Sequence, residues 1–396
     1  MLSAAILAVV VASGGIMLYP RLASARLWRA TITPLASIIG SGFLVLGPIL
    51  DVSFGLYAPA VMLALVLMAY AFGGAIRYNI RRIEADAHRP RGVEWAEQFS
   101  SLVLAFAYVI SVAYYLNLFG AFAVSLTPLD DAYHAKILTT AVFVVILIVG
   151  WARGYGALER MEQISVGVKL AVIAGLLWGL TVHFGSTAQQ GNLVFHPANV
   201  TGWSAIALTF GLIVTVQGFE TSRYLGHDYD AETRVRAMRL AQIISTLIYM
   251  VYILLTAYVF SPQVLELDET SIIDMMTVVA PILPVLLVAA ALSAQFSAAV
   301  ADTSGSGGLI AEISHNRIPP RLAYAILVGA GLCLTWTLNI FEIISYASRA
   351  FAAYYAIQAA IAAASAWLRN DLQRLAIFTP LAVLGLSIVV FGQPVE

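Results

Sequence analysis

Four charged side chains lie inside long apolar stretches of this sequence: Lys169, Glu220, Asp302 and Arg349. A charge that is moved from water into apolar surroundings is costly, so each of these side chains needs a partner or an aqueous cavity. We predict that Arg349 pairs with Asp302 or with Glu220. Such a pair would serve gating, or it would simply hold two helices together.

Lys169 can exchange a proton if it is buried. It lies about one third of the way into the apolar residues 161–183. Burial favours the neutral form of a lysine, which allows its amine to take up and release a proton near neutral pH. We predict this role for Lys169. The alternative is a lysine whose stem lies along apolar surface while its ammonium reaches water.

Two apolar stretches carry residues that favour an interrupted helix. Residues 31–50 contain Gly40-Ser41-Gly42 at their middle. Each glycine weakens a helix by about 1 kcal/mol relative to alanine. Close packing of helices through small residues explains the same motif equally well. The second stretch, residues 201–222, contains the polar segment Gln217-Gly218-Phe219-Glu220.

An interrupted helix exposes backbone groups that can bind a small charged solute. The N–H groups that follow Gly42 would suit a carboxylate, because they form the positive end of a helix dipole. The carbonyl groups of Ile38 and Ile39, which end the preceding half-helix, would suit a cation or an ammonium. We therefore predict a binding site where the two interruptions meet.

The elements that position these residues are predicted to be membrane-spanning helices. The sequence is 61% hydrophobic and only 11% charged, whereas a soluble domain has about 25% charged residues. About twelve stretches reach the roughly 20 apolar residues that cross a bilayer. They are residues 2–19, 31–50, 55–77, 98–126, 135–151, 161–183, 201–222, 238–260, 277–310, 322–338, 342–367 and 375–392. The prediction is an all-α polytopic membrane protein with a single transmembrane domain, residues 1–396.

Loop charges predict the orientation. Arginine residues are concentrated in alternate loops, and Lys136 is the only arginine or lysine near the opposite side. Positive residues are retained in the cytoplasm. This pattern predicts a bacterial-type inner (plasma) membrane protein with both termini on the non-cytoplasmic side. Residues 2–19 lack a preceding positive segment, so we interpret them as a retained helix and not as a signal peptide.

In order and spacing, these motifs resemble the amino acid–polyamine–organocation (APC) superfamily of transporters, which has the LeuT-type fold of five plus five inverted helices. The matching segments are residues 39–43, 165–170, 218–220 and 315–321. The resemblance covers about residues 31–392. It implies a first repeat at 31–183, a second repeat at 201–367, an extra N-terminal helix at 2–19 and a C-terminal helix at 375–392.

The resemblance also implies roles for individual residues. Substrate would lie between the two interruptions, with Tyr108, or Tyr114 or Tyr115, closing over it. In proton-coupled relatives, a lysine at the position of Lys169 takes the place of a sodium ion.

In sodium-coupled relatives, the hydroxyl groups that match Thr303 and Ser304, with the carbonyl that matches Val300, bind the ion. Hydroxyl groups bonded back to their own helix are the alternative. A lysine and a sodium ion repel each other at one location, so we predict proton coupling ahead of sodium coupling.

These observations predict a secondary active transporter that carries an amino acid or a similar zwitterion by proton-coupled symport. A sodium-coupled carrier, or a carrier of an inorganic cation or a nucleobase, is the first alternative, and a non-transporting membrane sensor or subunit is the second. Neither an enzyme nor a metal centre is expected, because the single cysteine and the scattered histidines form no ligand cluster. The expected partners are a small solute and the lipid bilayer, with H⁺ or Na⁺ as the coupling ion and no other cofactor. A net charge of −1 gives no indication of a nucleic-acid partner.

Overall fold

The structure, a computed structural model, describes residues 1–85, 90–153, 155–225, 229–260, 270–315 and 317–394. Within these ranges, the side chains of Ser41, residues 153–164 and Glu312 are not described. Asn316, which belongs to one of the motifs above, lies outside the described residues.

All regular secondary structure in these ranges is helical, as the apolar stretches predict. The helices in chain order are α1 (Leu2–Met17), α2 (Pro20–Ala23), α3 (Arg26–Ser41), α4 (Phe43–Phe54), α5 (Ala58–Ala85), α6 (Arg91–Val124), α7 (Ala132–Arg153), α8 (Tyr155–Gln189), α9 (Gly202–Gly211), α10 (Ala231–Thr256), α11 (Ile272–Val279), α12 (Leu283–Ile313), α13 (Pro320–Thr337), α14 (Ile340–Trp367) and α15 (Leu372–Phe391). Short 3₁₀ turns lie at Gly55–Tyr57, Ile213–Val216 and Phe219–Tyr224.

The helices have the length and composition of membrane spans. Among the described residues, 8 helical segments are long and apolar enough to cross a bilayer. The count of about twelve spans stays a prediction. One predicted span, residues 277–310, is divided into α11 and α12. The division has a local cause, because Ala280 precedes Pro281 and adopts the extended conformation (φ −163°, ψ 140°) that a residue before proline favours.

The interior is organised around α12. This helix packs against α3, α6 and α8, while α14 packs against α6 and α15, and α10 packs against α3 and α5. The predicted repeats correspond to α3–α8 and α9–α14, and their boundaries stay a prediction. The packing brings both predicted helix interruptions into the interior.

The additional helix α1 is docked on α8. Ile6 is completely buried, and a Cβ atom built on Gly175 or Gly179 of α8 would lie 2.5 Å from Val10 Cγ2 or 3.0 Å from Ile6 Cδ1. Glycines spaced four residues apart allow close approach of two helices in a membrane, where packing replaces the hydrophobic effect. Helix α1 therefore lies against the helix that carries Lys169.

We expect Gly175→Leu to separate α1 from α8 and to lower the thermal unfolding temperature of the purified protein. Overpacking of this kind costs about 1–3 kcal/mol. The matched control is Gly167→Leu in the same helix, because no atom lies within 4 Å of a Cβ built there. Equal unfolding temperatures for the two variants would contradict a close α1–α8 contact.

Candidate functional site

The first interruption is confined to one residue. Helix α3 ends at Ser41, Gly42 has φ −121° and ψ −4°, and α4 begins at Phe43. Of this segment, the side chain of Ser41 lies outside the described part of the chain. The break therefore separates two half-helices with almost no unwound backbone between them.

The second interruption is longer. Helix α9 ends at Gly211, and the chain continues through a 3₁₀ turn to Gln217, which is extended (φ −78°, ψ 175°). Gly218 then has φ +116°, a left-handed conformation that glycine adopts without strain. A second 3₁₀ turn, Phe219–Tyr224, follows. The predicted interruption at 217–220 is present, and its glycine is required by the backbone.

The two interruptions touch each other. A Cβ atom on Gly42 would lie 2.2 Å from Thr215 Cβ, and one on Gly218 would lie 2.5 Å from the Ile38 backbone nitrogen. The Tyr249 hydroxyl oxygen lies 3.0 Å from the carbonyl oxygen of Ile38 and 2.7 Å from that of Thr215, so its single hydrogen is shared between the two acceptors. The Ile38 carbonyl, predicted to be available to a cation, is therefore bound to a tyrosine from α10.

The other residues of the first interruption face α12. A Cβ atom on Gly40 would lie 2.5 Å from Ala298 Cβ. Ile39 and Gly40 border a small cavity of about 10 Å³ that also contacts Gln295, which is about the space that one water molecule needs. The glycine motif thus combines the two interpretations, because it both interrupts the helix and packs closely.

Lys169 is completely buried. Its Nζ atom donates to the Ala36 carbonyl oxygen at 2.6 Å and to Ser297 Oγ at 3.4 Å. The alternative of an ammonium at the aqueous interface does not fit this position. The lysine joins α8 to the half-helix α3 and to α12, one turn before the Gly40–Gly42 motif.

The predicted cation ligands lie elsewhere on α12. Thr303 Oγ1 and Ser304 Oγ are buried and have no hydrogen-bond partner among the residues that the structure describes, while Val300 is also buried. The hydroxyl that contacts Lys169 belongs to Ser297, about 9 Å before Thr303 along the helix at 1.5 Å per residue. That a lysine and a sodium ion exclude each other at one location stays a prediction. The pattern missed Ser297 because it is one of several small polar residues in α12.

Asp302 lies at the junction of three helices. Its Oδ1 atom accepts from Ser37 Oγ of α3 at 3.5 Å, and its Oδ2 atom accepts from Ser111 Oγ of α6. Arg349, in contrast, donates through Nη2 (2.6 Å) and Nε (3.2 Å) to the carbonyl oxygen of Gly392. The predicted pairing of Arg349 with Asp302 or Glu220 is corrected, because this face of α14 packs against the end of α15.

Glu220 and Gln217 lie beside buried tyrosines. Glu220 Oε2 accepts from the Gly218 N–H at 3.0 Å and from the Tyr355 hydroxyl at 2.9 Å, and Gln217 Nε2 donates to the Tyr115 hydroxyl. Tyr108 is buried between α6 and α12, where a Cβ atom on Gly305 would lie 3.1 Å from its ring. Tyr355 of α14 was missed because a tyrosine in an apolar helix gives no signal of its partner.

A family model described as "APC superfamily transporter" matches residues 20–392. The chain belongs to the APC superfamily. An uncharacterised protein of Aquifex aeolicus (strain VF5) is 41% identical over 391 residues, which cover 96% of this chain and 94% of that protein.

A solved structure supports the fold of this APC superfamily transporter. A nucleobase–cation–symport-1 family transporter, in a closed conformation with bromovinylhydantoin bound, has a TM-score of 0.56 with 12% identity, covering 87% of this chain and 79% of that chain. The predicted superfamily and the predicted fold class, an all-α polytopic membrane protein of LeuT type, are both confirmed. The identity of 12% makes this a likeness of fold.

One end of the APC superfamily chain is closed by a buried polar network. Arg223, which follows the second interruption, pairs with Glu97 at the start of α6, and both side chains are less than one-tenth exposed (8% and 9%). Arg223 also donates to Gln358 Oε1 at 2.5 Å, and Gln358 donates to Ser100 Oγ at 2.7 Å. The loop charges predict that this end faces the cytoplasm.

We expect Arg223→Gln to destabilise the protein, because it leaves the Glu97 carboxylate buried without its partner. Breaking a buried pair costs about 3–5 kcal/mol, and removal of both charges costs less. The double variant Arg223→Gln/Glu97→Gln should therefore regain part of the lost unfolding temperature. Arg81→Gln is the control, because the Arg81–Glu232 pair is half exposed (49% and 50%) and such pairs contribute about 0–1 kcal/mol. If Arg223→Gln and Arg81→Gln lower the unfolding temperature equally, the buried Arg223–Glu97 pair contributes no more to stability than the exposed pair does.

Proposed function

We propose that this APC superfamily transporter carries an amino acid or a similar small zwitterion by proton-coupled symport, with alternating access around the two interruptions. The observation that carries the proposal is the position of Lys169. Its ammonium lies between the Ala36 carbonyl of a broken helix and Ser297 of α12. A protonation change there alters contacts with two elements that must move relative to each other.

The coupling role follows from electrostatics. In the charged form, Lys169 donates to the carbonyl of α3 and holds α3, α8 and α12 together. In the neutral form, the attraction is weaker, because a hydrogen bond from a charged donor is about twice as strong as a neutral one. Loss of a proton from Lys169 would therefore loosen the half-helix on one side of the binding site.

The substrate site proposed here comprises Ile38, Ile39, Gly40, Ser41, Gly42, Tyr108, Gln217, Gly218, Phe219 and Glu220. Its two halves are in contact at Gly42 and Gly218, and this contact supports a site that opens and closes. A solute must separate these contacts, and binding would therefore shift the protein between conformations according to its preference for one of them.

A sodium-coupled carrier is the second candidate, and one observation favours it. Within the described part of the chain, the buried hydroxyl groups of Thr303 and Ser304 have no hydrogen-bond partner, and oxygen ligands suit a hard cation. On this alternative, Val300, Thr303 and Ser304 would contribute to a sodium site that is separate from Lys169. A carrier of a nucleobase-like solute is a further alternative on the same fold, since the nucleobase–cation–symport-1 family transporter has bromovinylhydantoin bound.

The experiment is uptake by proteoliposomes. A panel of radiolabelled amino acids and nucleobases is offered under an inward proton gradient, an inward sodium gradient, or neither. Proton-dependent accumulation of an amino acid supports the proposal, and sodium-dependent accumulation supports the second candidate. If no compound accumulates under either gradient, the result counts against a secondary transporter. The transporter family and the fold together favour solute transport over enzymatic catalysis.

The proposed localisation is a bacterial-type inner membrane with both termini outside. A membrane-impermeant reagent should label an added N-terminal cysteine in intact cells. Labelling only after the cells are opened would place the N-terminus in the cytoplasm and contradict the proposed orientation.

A further inference from the structure

At the side of the arginine-rich loops, α5 and α10 carry an excess of positive charge. The two helices contain more arginines than glutamates: Arg77, Arg81, Arg82, Arg234, Arg236 and Arg239, against Glu84 and Glu232. Both glutamates are already bound, in the pairs Glu84–Arg234, Glu232–Arg81 and Glu232–Arg236. In the described part of the chain, Arg77, Arg82 and Arg239 form no ion pair. Arg82 lies over the Tyr78 ring (5.0 Å), which leaves Arg77 and Arg239.

Arg77 is fixed in a cleft between the two helices. It is 6% exposed, and its Nη1 atom donates to Gln242 Oε1 of α10 while Nη2 donates to the Tyr70 carbonyl oxygen at 3.3 Å. The guanidinium also lies 4.6 Å from the centre of the Tyr70 ring. Gly73 makes room for this arrangement, because a Cβ atom there would lie 2.5 Å from Gln242 Oε1 and 2.9 Å from Arg77 Nη1. Arg77 is therefore a buried positive charge whose described partners are neutral.

A second arginine stands beside this cleft. Arg239 and Arg81 are both within electrostatic range of Arg77, but Arg81 is held by Glu232 at 3.2 Å. Arg239 is exposed on α10. An arginine has five N–H donors, and the two hydrogen bonds of Arg77 use two of them. Like charges repel more strongly away from bulk water, so an anion placed between Arg77 and Arg239 would replace repulsion with attraction.

The cleft lies at the depth of phospholipid phosphate groups. Arg77 follows Ala58, the first residue of α5, by roughly 28 Å along the helix at 1.5 Å per residue. That distance is close to the roughly 30 Å thickness of the hydrocarbon core, beyond which the headgroups begin. On the proposed orientation this end faces the cytoplasm, where anionic lipids give the membrane surface its negative potential.

The cleft also opens toward the bilayer. Leu63, Tyr70 and Arg77 are spaced seven residues apart and therefore lie on one side of α5, where Leu63 is 44% and Tyr70 is 38% exposed. On α10, Ile243 and Leu247 follow Arg239 at intervals of four residues and are 52% and 64% exposed. Both sides are apolar surfaces on which acyl chains can lie.

We propose that this cleft, formed by Tyr70, Gly73, Arg77, Arg239 and Gln242, binds the phosphate group of an anionic phospholipid. Arg77 and Arg239 are its ligands, because the planar fork of a guanidinium fits two phosphate oxygen atoms. A lipid with a net negative charge is preferred to a zwitterionic lipid, whose choline group brings a positive charge close to two arginines. The site is independent of the proposed transport function, since it needs neither a solute nor a gradient.

Native mass spectrometry of the full-length protein, released from micelles of a nonionic detergent, counts the bound lipid molecules. Phosphatidylglycerol and phosphatidylcholine with identical acyl chains are titrated separately, and inorganic phosphate is added in large excess to the complex with phosphatidylglycerol. We expect phosphatidylglycerol to bind at least about fivefold more tightly than phosphatidylcholine, the difference expected for one basic residue at an anionic surface. Inorganic phosphate should leave the lipid bound, because it lacks acyl chains.

Variants locate the binding. In Arg239→Gln the affinity for phosphatidylglycerol should fall about fivefold, and in Arg77→Gln/Arg239→Gln the two lipids should bind equally. Because Arg239 is exposed, the single variant tests the site without disturbing the packing around Arg77. Arg236→Gln is the matched control, since it removes the same charge from the same helix, but its guanidinium is exposed (68%) and bound to Glu232 at 3.0 Å. Its affinity for phosphatidylglycerol should match that of the wild type.

Three results would overturn the proposal. Equal affinity of the wild type for the two lipids would mean that only the acyl chains bind. Equal losses in Arg239→Gln and Arg236→Gln would mean that phosphatidylglycerol senses the general surface charge and not this cleft. Displacement of the lipid by inorganic phosphate would make the cleft a site for a soluble anion.

Discussion

Lys169→Met should abolish proton-driven uptake while the protein remains folded. Methionine has about the length of lysine, but it cannot bind a proton or donate to the Ala36 carbonyl oxygen. Coupling would therefore be lost at the contact between α8 and the broken helix α3. Proton influx on addition of solute, followed by a pH-sensitive dye inside proteoliposomes, should fall to the rate of protein-free vesicles.

Stability separates this effect from damage to the fold. Keeping an ammonium buried costs several kcal/mol of desolvation, whereas its removal leaves the Ala36 carbonyl without this donor at a cost of about 1–3 kcal/mol, so Lys169→Met should unfold close to the wild-type temperature. Lys136→Met is the matched control, since Lys136 is the other lysine of the sequence and is partly exposed on α7. Proton influx at the wild-type rate in Lys169→Met would exclude Lys169 as the coupling residue.

The sequence could predict the depth of Lys169 but not its partners. Apolar residues on both sides of the lysine are enough to indicate a span, because the bilayer demands about 20 apolar residues. The choice of Ala36 and Ser297 depends on how α3, α8 and α12 cross, and the pattern of each helix leaves that crossing open. The motif indicates Thr303 and Ser304, and it gives no sign that the hydroxyl in contact with Lys169 is that of Ser297.

The same holds for the interruptions: sequence neighbours predict the local backbone, but the contacts with distant helices depend on the tertiary structure. Gly218 could be predicted, because a glycine among polar residues in an apolar run is a local signal. The Tyr249 hydroxyl that binds the Ile38 carbonyl comes from a helix far along the chain. Arg349 was placed correctly in a helix, but its bonds to Gly392 required knowledge of how α14 and α15 pack. Each error concerns a partner and not a span.

Gly42→Leu should weaken solute binding while leaving membrane insertion intact. A Cβ atom at this position would lie 2.2 Å from Thr215 Cβ and 2.7 Å from Thr215 Cα, so a side chain there forces the two interruptions apart. Overpacking of this size costs about 1–3 kcal/mol. If the solute-bound conformation bears that cost, the affinity for solute falls roughly five- to 150-fold. Insertion depends on the hydrophobicity of the spans, and leucine increases it.

The measurement compares thermal unfolding of Gly42→Leu and wild type with the amino acid that shifts the wild type most. Gly308→Leu in α12 is the control, because no atom lies within 4 Å of a Cβ there, and it should bind as the wild type does. If the ligand raises the unfolding temperature of Gly42→Leu as much as that of the wild type, the contact between Gly42 and Thr215 serves helix packing only. The paired interruptions would then not form the binding site.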